Sequence, residues 1–139
     1  MKIKRLISIF LLIFSLTACS AKGGDTNNSN ESASQGYRQI TMEEAVRLME
    51  QESNYIILDV RRPDEFAEGH IPNAINVQNE IIGDSEIAEL PNKDQLILVY
   101  CRSGRRSKEA SEKLVSLGYT NIIEFGGILD WTGETEIVK

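Results

Sequence analysis

Leu96-Ile97-Leu98-Val99-Tyr100-Cys101-Arg102-Ser103-Gly104-Arg105-Arg106-Ser107 joins an apolar run to a lone cysteine and a basic, glycine-containing loop. The apolar run has the length and composition of a buried strand. Lys108 to Leu117, with Ala110, Leu114 and Leu117 at helical spacing, predicts a helix that Gly118 ends as a C′ residue. The loop is therefore a strand-to-helix turn. Its thiol lies where unpaired N–H groups of the loop and of the helix start converge, beside three guanidinium groups, and both features favour an anion. Taken alone, the motif also fits an ordinary solvated turn with a half-buried cysteine, so the surrounding sequence decides.

Upstream, the strand has company. Tyr55-Ile56-Ile57-Leu58-Asp59-Val60 reads as a second strand buried on both faces, the pattern of a parallel sheet. Thr41-Met42-Glu43-Glu44 has the form of a capping box, and Met42, Ala45, Val46 and Met49 make the core-facing stripe of the helix it opens. Pro63-Asp64-Glu65-Phe66 suits a short helix, with proline in the first turn and carboxylates at the positive end. Ala74 to Val77 is a short strand, and Ile81 to Leu90 is weakly periodic, predicting a helix. Asn121 to Glu124 is a last short strand, followed by the Gly126-Gly127 pair and one amphipathic turn whose Trp131 is expected to anchor packing. Strands alternating with helices over short links predict an α/β domain with a mainly parallel sheet. In such sheets ligands bind beyond the carboxyl ends of the strands, where Cys101 falls.

Composition narrows the function. A chain of 139 residues holds one domain with a modest core, and its net charge of −6 argues against a general nucleic-acid or anionic-membrane binder. The first eighteen residues stand apart from the domain. Lys2, Lys4 and Arg5 precede an apolar stretch from Leu6 to Leu16 that is too short for a membrane span, which reads as a secretion signal. Leu16-Thr17-Ala18-Cys19 resembles the lipobox of bacterial lipoproteins, which implies cleavage before Cys19, lipidation of its sulfur and an extracytoplasmic, membrane-anchored protein. Loss of residues 1–18 removes three positive side chains and no acidic ones, taking the net charge to −9. Ser20 to Gly36 has no large apolar side chain and reads as a tether of about 20–25 Å typical reach. With Cys19 lipidated, Cys101 has no partner thiol in its own chain.

Several separated stretches then match one family. Leu58-Asp59-Val60-Arg61, Glu65-Phe66, Gly69 to Val77, the Cys101 to Ser107 loop, Leu117-Gly118-Tyr119 and Gly126 to Trp131 together resemble a single-domain rhodanese over residues 37–139. Asn73 departs from the pattern at a place where glycine is commoner. The resemblance implies a rhodanese-like three-layer fold, with a mainly parallel central sheet flanked by helices. It also implies transfer of sulfane sulfur through a persulfide on Cys101, from a donor such as thiosulfate to cyanide or a thiol, with no metal or organic cofactor.

Within that resemblance Cys101 to Arg106 has the six-residue loop of the sulfurtransferase type, whereas phosphatase-like relatives carry one residue more and an arginine beyond it; here that place is Ser107. Arg102, Ser103, Gly104, Arg105, Arg106 and Ser107 are the expected cradle. Arg102 either meets the donor's sulfonate or is solvated, and of Arg105 and Arg106 one faces the donor while the other pairs with an acidic group. Gly104 is expected to give the loop its conformational freedom. Asp59 and Arg61 are expected to support the loop as an ion pair, and His70 to hydrogen-bond structurally rather than catalyse. A protein sulfur acceptor is a further expected partner. The alternative reading is a rhodanese-fold relay or binding module that acts only with a dedicated partner.

Overall fold

The computed structural model describes residues 36–83 and 85–138. The expected signal peptide, Cys19 and all of the tether but Gly36 lie outside the described residues. The elements follow in the order β1 Arg38–Gln39, α1 Met42–Gln51, β2 Tyr55–Asp59, α2 Pro63–Glu68, β3 Ile75–Asn76, β4 Leu96–Cys101, α3 Arg105–Ser116 and β5 Ile122–Gly127. Two 3-10 turns, Asn79–Ile81 and Ile128–Asp130, complete them. The strands form one five-stranded sheet in the order β1-β5-β4-β2-β3, and all the pairings are parallel.

Side-chain alternation along the strands builds three layers. Along β4, Ile97, Val99 and Cys101 point to one face and Leu98 and Tyr100 to the other. The first face packs with Leu58, Val60 and Ile122 under Ala110 and Leu114 of α3. The second packs with Ile57, Ile123 and Phe125 against Ala45 of α1, Phe66 of α2 and Trp131. The fold is thus α/β with helices on both faces of a parallel sheet, the three-layer arrangement that the resemblance implies.

Local rules account for most element ends. Thr41 Oγ1 accepts from Glu44 N–H at 3.2 Å and Glu44 Oε2 accepts from Thr41 N–H at 2.8 Å, closing the capping box of α1. Leu48 packs on the core beside Met42, Ala45 and Met49, while Val46 lies on the flank of that stripe. Gly118, at φ 90°, follows the C-cap of α3. Asn73 adopts φ 64°, the left-handed region that glycine fills most easily and asparagine tolerates, which explains the departure noted at that position.

Three expectations are corrected. Ile81 to Leu90 is irregular beyond the turn ending at Ile81. Ile82, Ile87 and Leu90 are buried one by one along the sheet, and the Leu90 carbonyl accepts from Tyr119 Oη at 2.7 Å rather than joining a helical ladder. The helix expected from Lys108 begins at Arg105, because the loop turns at Gly104, and the last three cradle residues form its first turn. The last strand runs on through Gly127 instead of ending at Glu124.

Candidate active site

The reactive-thiol candidate sits at the carboxyl end of the central strand. Cys101 closes β4, pairs with Gly127 of β5 after a register shift beyond Val99, and is 1% exposed, with its side chain on the α3 face. Only Arg102, Ser103 and Gly104 separate it from α3. So short a link works because Gly104 takes φ 103°, a conformation that costs glycine little. In that geometry Gly104 N–H donates to Cys101 Sγ at 3.1 Å. The N–H groups of Arg105, Arg106 and Ser107 begin α3 and have no carbonyl partner within it, so the sulfur's end of the loop is rich in donors.

The loop is pressed against the end of β5. A Cβ at Gly127 would lie 2.2 Å from Arg102 O and 2.5 Å from Ser103 Cα, so glycine there is what lets the loop approach. Leu129 N–H donates to Arg102 O at 3.3 Å. Beneath the loop, Ser107 Oγ is buried and lies 2.9 Å from Gly104 O, 2.6 Å from Glu124 Oε1 and 3.3 Å from Gly126 O. Ser107 was expected to line the cradle. Its hydroxyl instead braces the loop from behind, since its place in the first turn of α3 turns it toward β5.

The arginines divide by partner. Arg106 grips Glu65 of α2 with both terminal nitrogens, at 2.7 and 2.9 Å, and the two side chains are 15% and 19% exposed. That hydrogen-bonded pair holds the Glu65 carboxyl down at about 2, with the Arg62 N–H bond adding to the effect. Arg106 is raised above its usual range, first by the Glu65 hydrogen bond against some burial, with the charges of Glu65 and Cys101 adding. Arg105 turns outward and pairs with Glu109 at 2.6 Å in the i,i+4 relation. Arg102 and Ser103 are exposed, and Arg102 makes no ion pair among the described residues.

Asp59 and Arg61 form a buried pair at 2.6 Å, and Arg61 also donates to Gly69 O at 2.7 Å. Burial opposes the Arg61 charge, but the Asp59 hydrogen bonds and charge outweigh it and raise the guanidinium above its usual range. Arg61 lies 5.8 Å from the centre of the Tyr100 ring, whose hydroxyl accepts from Ile71 N–H at 3.1 Å and is pushed up by burial and then by Asp59. The pair therefore braces the Gly69 to Ile71 turn and the Tyr100 side of the sheet. Direct support of the Cys101 loop, the expected role, falls to Glu65, Ser107 and Glu124. His70 stacks on Phe66 with ring centroids 3.7 Å apart and donates from Nδ1 to Phe66 O at 2.9 Å. Its backbone N–H and carbonyl both bond to Glu136, so its contacts are architectural.

Glu65 and Glu124 escaped the sequence reading as loop supports. Glu124 did leave a signal, a lone carboxylate between Ile123 and Phe125 in an otherwise apolar strand. Glu65 stood among the stretches of the family resemblance and in a helix first turn, but neither pointed to its pairing with Arg106.

The chain is similar to known proteins. A thiosulfate sulfurtransferase of Escherichia coli (strain K12) is 34% identical over 73 residues, covering 52% of this chain and 70% of that protein. A sulfurtransferase of Allochromatium vinosum is 38% identical over 77 residues, covering 55% of this chain and 70% of its own. The solved structure of a rhodanese with anions from Escherichia coli is similar with a TM-score of 0.55 at 30% identity, covering 60% of this chain and 99% of that one. The description "Rhodanese-like domain" fits residues 41–134, well over half of the sequence, and the chain belongs to that family.

Proposed function

We propose that this protein is a sulfurtransferase that carries sulfane sulfur as a persulfide on Cys101, and that a lipid on Cys19 anchors it, outside the cytoplasm, to a bacterial membrane. The observation that carries the first part is the Gly104 N–H on Cys101 Sγ, at a loop where a parallel strand meets the start of a helix. The thiol loses its proton to solvent, and the thiolate attacks the outer sulfur of thiosulfate. The S–S bond of the donor breaks, sulfite leaves with its electron pair, and Cys101 becomes a persulfide anion. Cyanide or a thiolate then takes the outer sulfur and returns the Cys101 thiolate, completing a ping-pong cycle.

Both enzyme species are anions, so one set of N–H donors serves both without rearrangement. Arg102 is the loop guanidinium with no ion-pair partner among the described residues, and in this reading it meets the donor's sulfonate charge. Arg106 is committed to Glu65 and acts by holding the loop to α2.

Incubation of the purified chain with thiosulfate and cyanide is expected to give thiocyanate. Thiosulfate alone is expected to add the mass of one sulfur atom to the peptide that contains Cys101. Cys101→Ala is expected to abolish both; turnover that survives in this variant would sink the reading. Incorporation of labelled fatty acid that is lost in Cys19→Ala tests the anchor.

A further inference from the structure

A carboxylate under an anion cradle is out of place. Glu124 is 2% exposed and lies on the α3 face of β5, the face on which Cys101 is buried, where its charge opposes the anionic forms of the sulfur. Electrostatics alone would favour a neutral side chain there. Its hydrogen bonds indicate what it does instead. Glu124 Oε1 accepts from Ser107 Oγ at 2.6 Å and from Gly126 N–H at 2.9 Å. Ser107 Oγ in turn lies 2.9 Å from Gly104 O.

These contacts converge on the two glycines that shape the site. Gly104 and Gly126 both take positive φ, at 103° and 92°, and they are neighbours: a Cβ on Gly104 would lie 3.8 Å from Gly126 Cα. Glycine populates many backbone conformations, so a glycine hinge keeps one geometry only when something outside it holds the peptide. Here the single Ser107 hydroxyl proton is shared between the Gly104 carbonyl and Glu124 Oε1, the Gly104 carbonyl also accepts from Lys108 N–H at 3.3 Å, and the Gly126 N–H is held by Glu124. The residue whose carbonyl is pinned in this way is the one whose N–H reaches the sulfur.

We propose that Glu124, acting through Ser107, is a positioning residue for sulfur chemistry: it locks Gly104 in the left-handed conformation that turns its N–H onto Cys101. The proposal rests on the sulfurtransferase reading for its consequence in turnover, but its effect on the thiol stands independently. The loss falls on stabilisation of the anionic sulfur rather than on donor binding. Hydrogen-bond acceptance is the working property of the side chain, and its charge is a cost.

The test uses variants that separate acceptance from charge. Glu124→Gln keeps an acceptor oxygen and removes the charge; Glu124→Leu removes both; Ser107→Ala breaks the link between Glu124 and Gly104. In the full chain, the rate of iodoacetamide alkylation of Cys101 is followed across pH by mass spectrometry of its peptide. Turnover with thiosulfate and cyanide is measured in parallel. The expected result is alkylation about tenfold slower at neutral pH in Glu124→Leu and Ser107→Ala, with the high-pH plateau unchanged, and a similar fall in kcat with KM for thiosulfate little altered. Glu124→Gln is expected to react as fast as wild type or faster.

If Glu124→Leu does not fold, Ser107→Ala, which loses a single oxygen, decides the matter. An unchanged profile in Ser107→Ala overturns the proposal, and so does acceleration in both Glu124 variants, which would mark a simple charge effect. Wild type that transfers no sulfur while the alkylation shifts appear would overturn the sulfurtransferase reading and leave the positioning role intact. Normal turnover with no shifts would do the reverse.

Discussion

Replacing Glu65 by Gln removes the charge from the clamp that ties the Cys101 loop to α2. The clamp is a bidentate, charge-assisted pair at 2.7 and 2.9 Å whose side chains are 15% and 19% exposed. That places it between a solvated surface pair, worth at most about 1 kcal/mol, and a fully buried one. Hydrogen bonds to charged groups contribute about 1.5–3 kcal/mol, and Glu65→Gln is expected to destabilise the domain by that much at pH 7. The pH dependence gives the sharper test. Arg106 holds the folded-state carboxyl at about 2, below its ordinary value of 4.5. A group whose ionisation is favoured by folding contributes fully above its unfolded value and loses that contribution as pH falls toward the folded one. The gap between wild type and Glu65→Gln is therefore constant above about pH 5.5 and narrows by more than half by pH 3. Urea unfolding followed by the fluorescence of Trp131, the only tryptophan, reads the gap directly. Other acidic groups titrate in both proteins and cancel in the difference. A gap equally wide at pH 3 and pH 7 would refute an ionic clamp.

Two further predictions follow from close packing and burial. Gly127→Ala drives a methyl group to 2.2 Å from Arg102 O, which the backbone cannot accommodate without moving the loop, so stability is expected to fall by about 3 kcal/mol or more. Sulfur transfer should fall more steeply than stability, as seen by comparing turnover at temperatures where the variant is still folded. Arg61→Met strands the buried Asp59 carboxylate and is expected to cost about 3–5 kcal/mol in urea unfolding. Because the Asp59–Arg61 pair braces the Tyr100 side of the sheet, the alkylation rate of Cys101 in the folded fraction of Arg61→Met should stay within about threefold of wild type.

Parallel strands, the capping box of α1 and the stop at Gly118 were legible because each follows from residues close together in the chain. The length and composition of the apolar run from Leu96 mark a buried strand. The segment from Ile81 to Leu90 misled because Ile82, Ile87 and Leu90 are buried by the sheet and by Tyr119, far away in sequence, so burial without helical hydrogen bonds left a pattern that resembles a weak helix. The partners of the arginines were hidden for the same reason. Arg106 finds its carboxylate 41 residues away on α2, and only the fold brings α2 beside the start of α3. Arg105, by contrast, pairs with Glu109 one helical turn on, a relation readable once the helix start was known.

Cys101 is both the last residue of the central strand and a member of the buried cluster under α3, with 1% of its surface in contact with solvent. A nucleophile sunk to that depth selects by calibre. A small anion, or a single thiolate at the tip of a side chain, comes closer to such a sulfur than a broad or flat molecule does. Adding one sulfur atom changes that access, because the transferable atom then stands one S–S bond length, about 2 Å, farther out than the thiol beneath it. If Cys101 carries sulfur as proposed, its persulfide presents the transferable atom to acceptors that do not reach the buried thiol beneath it.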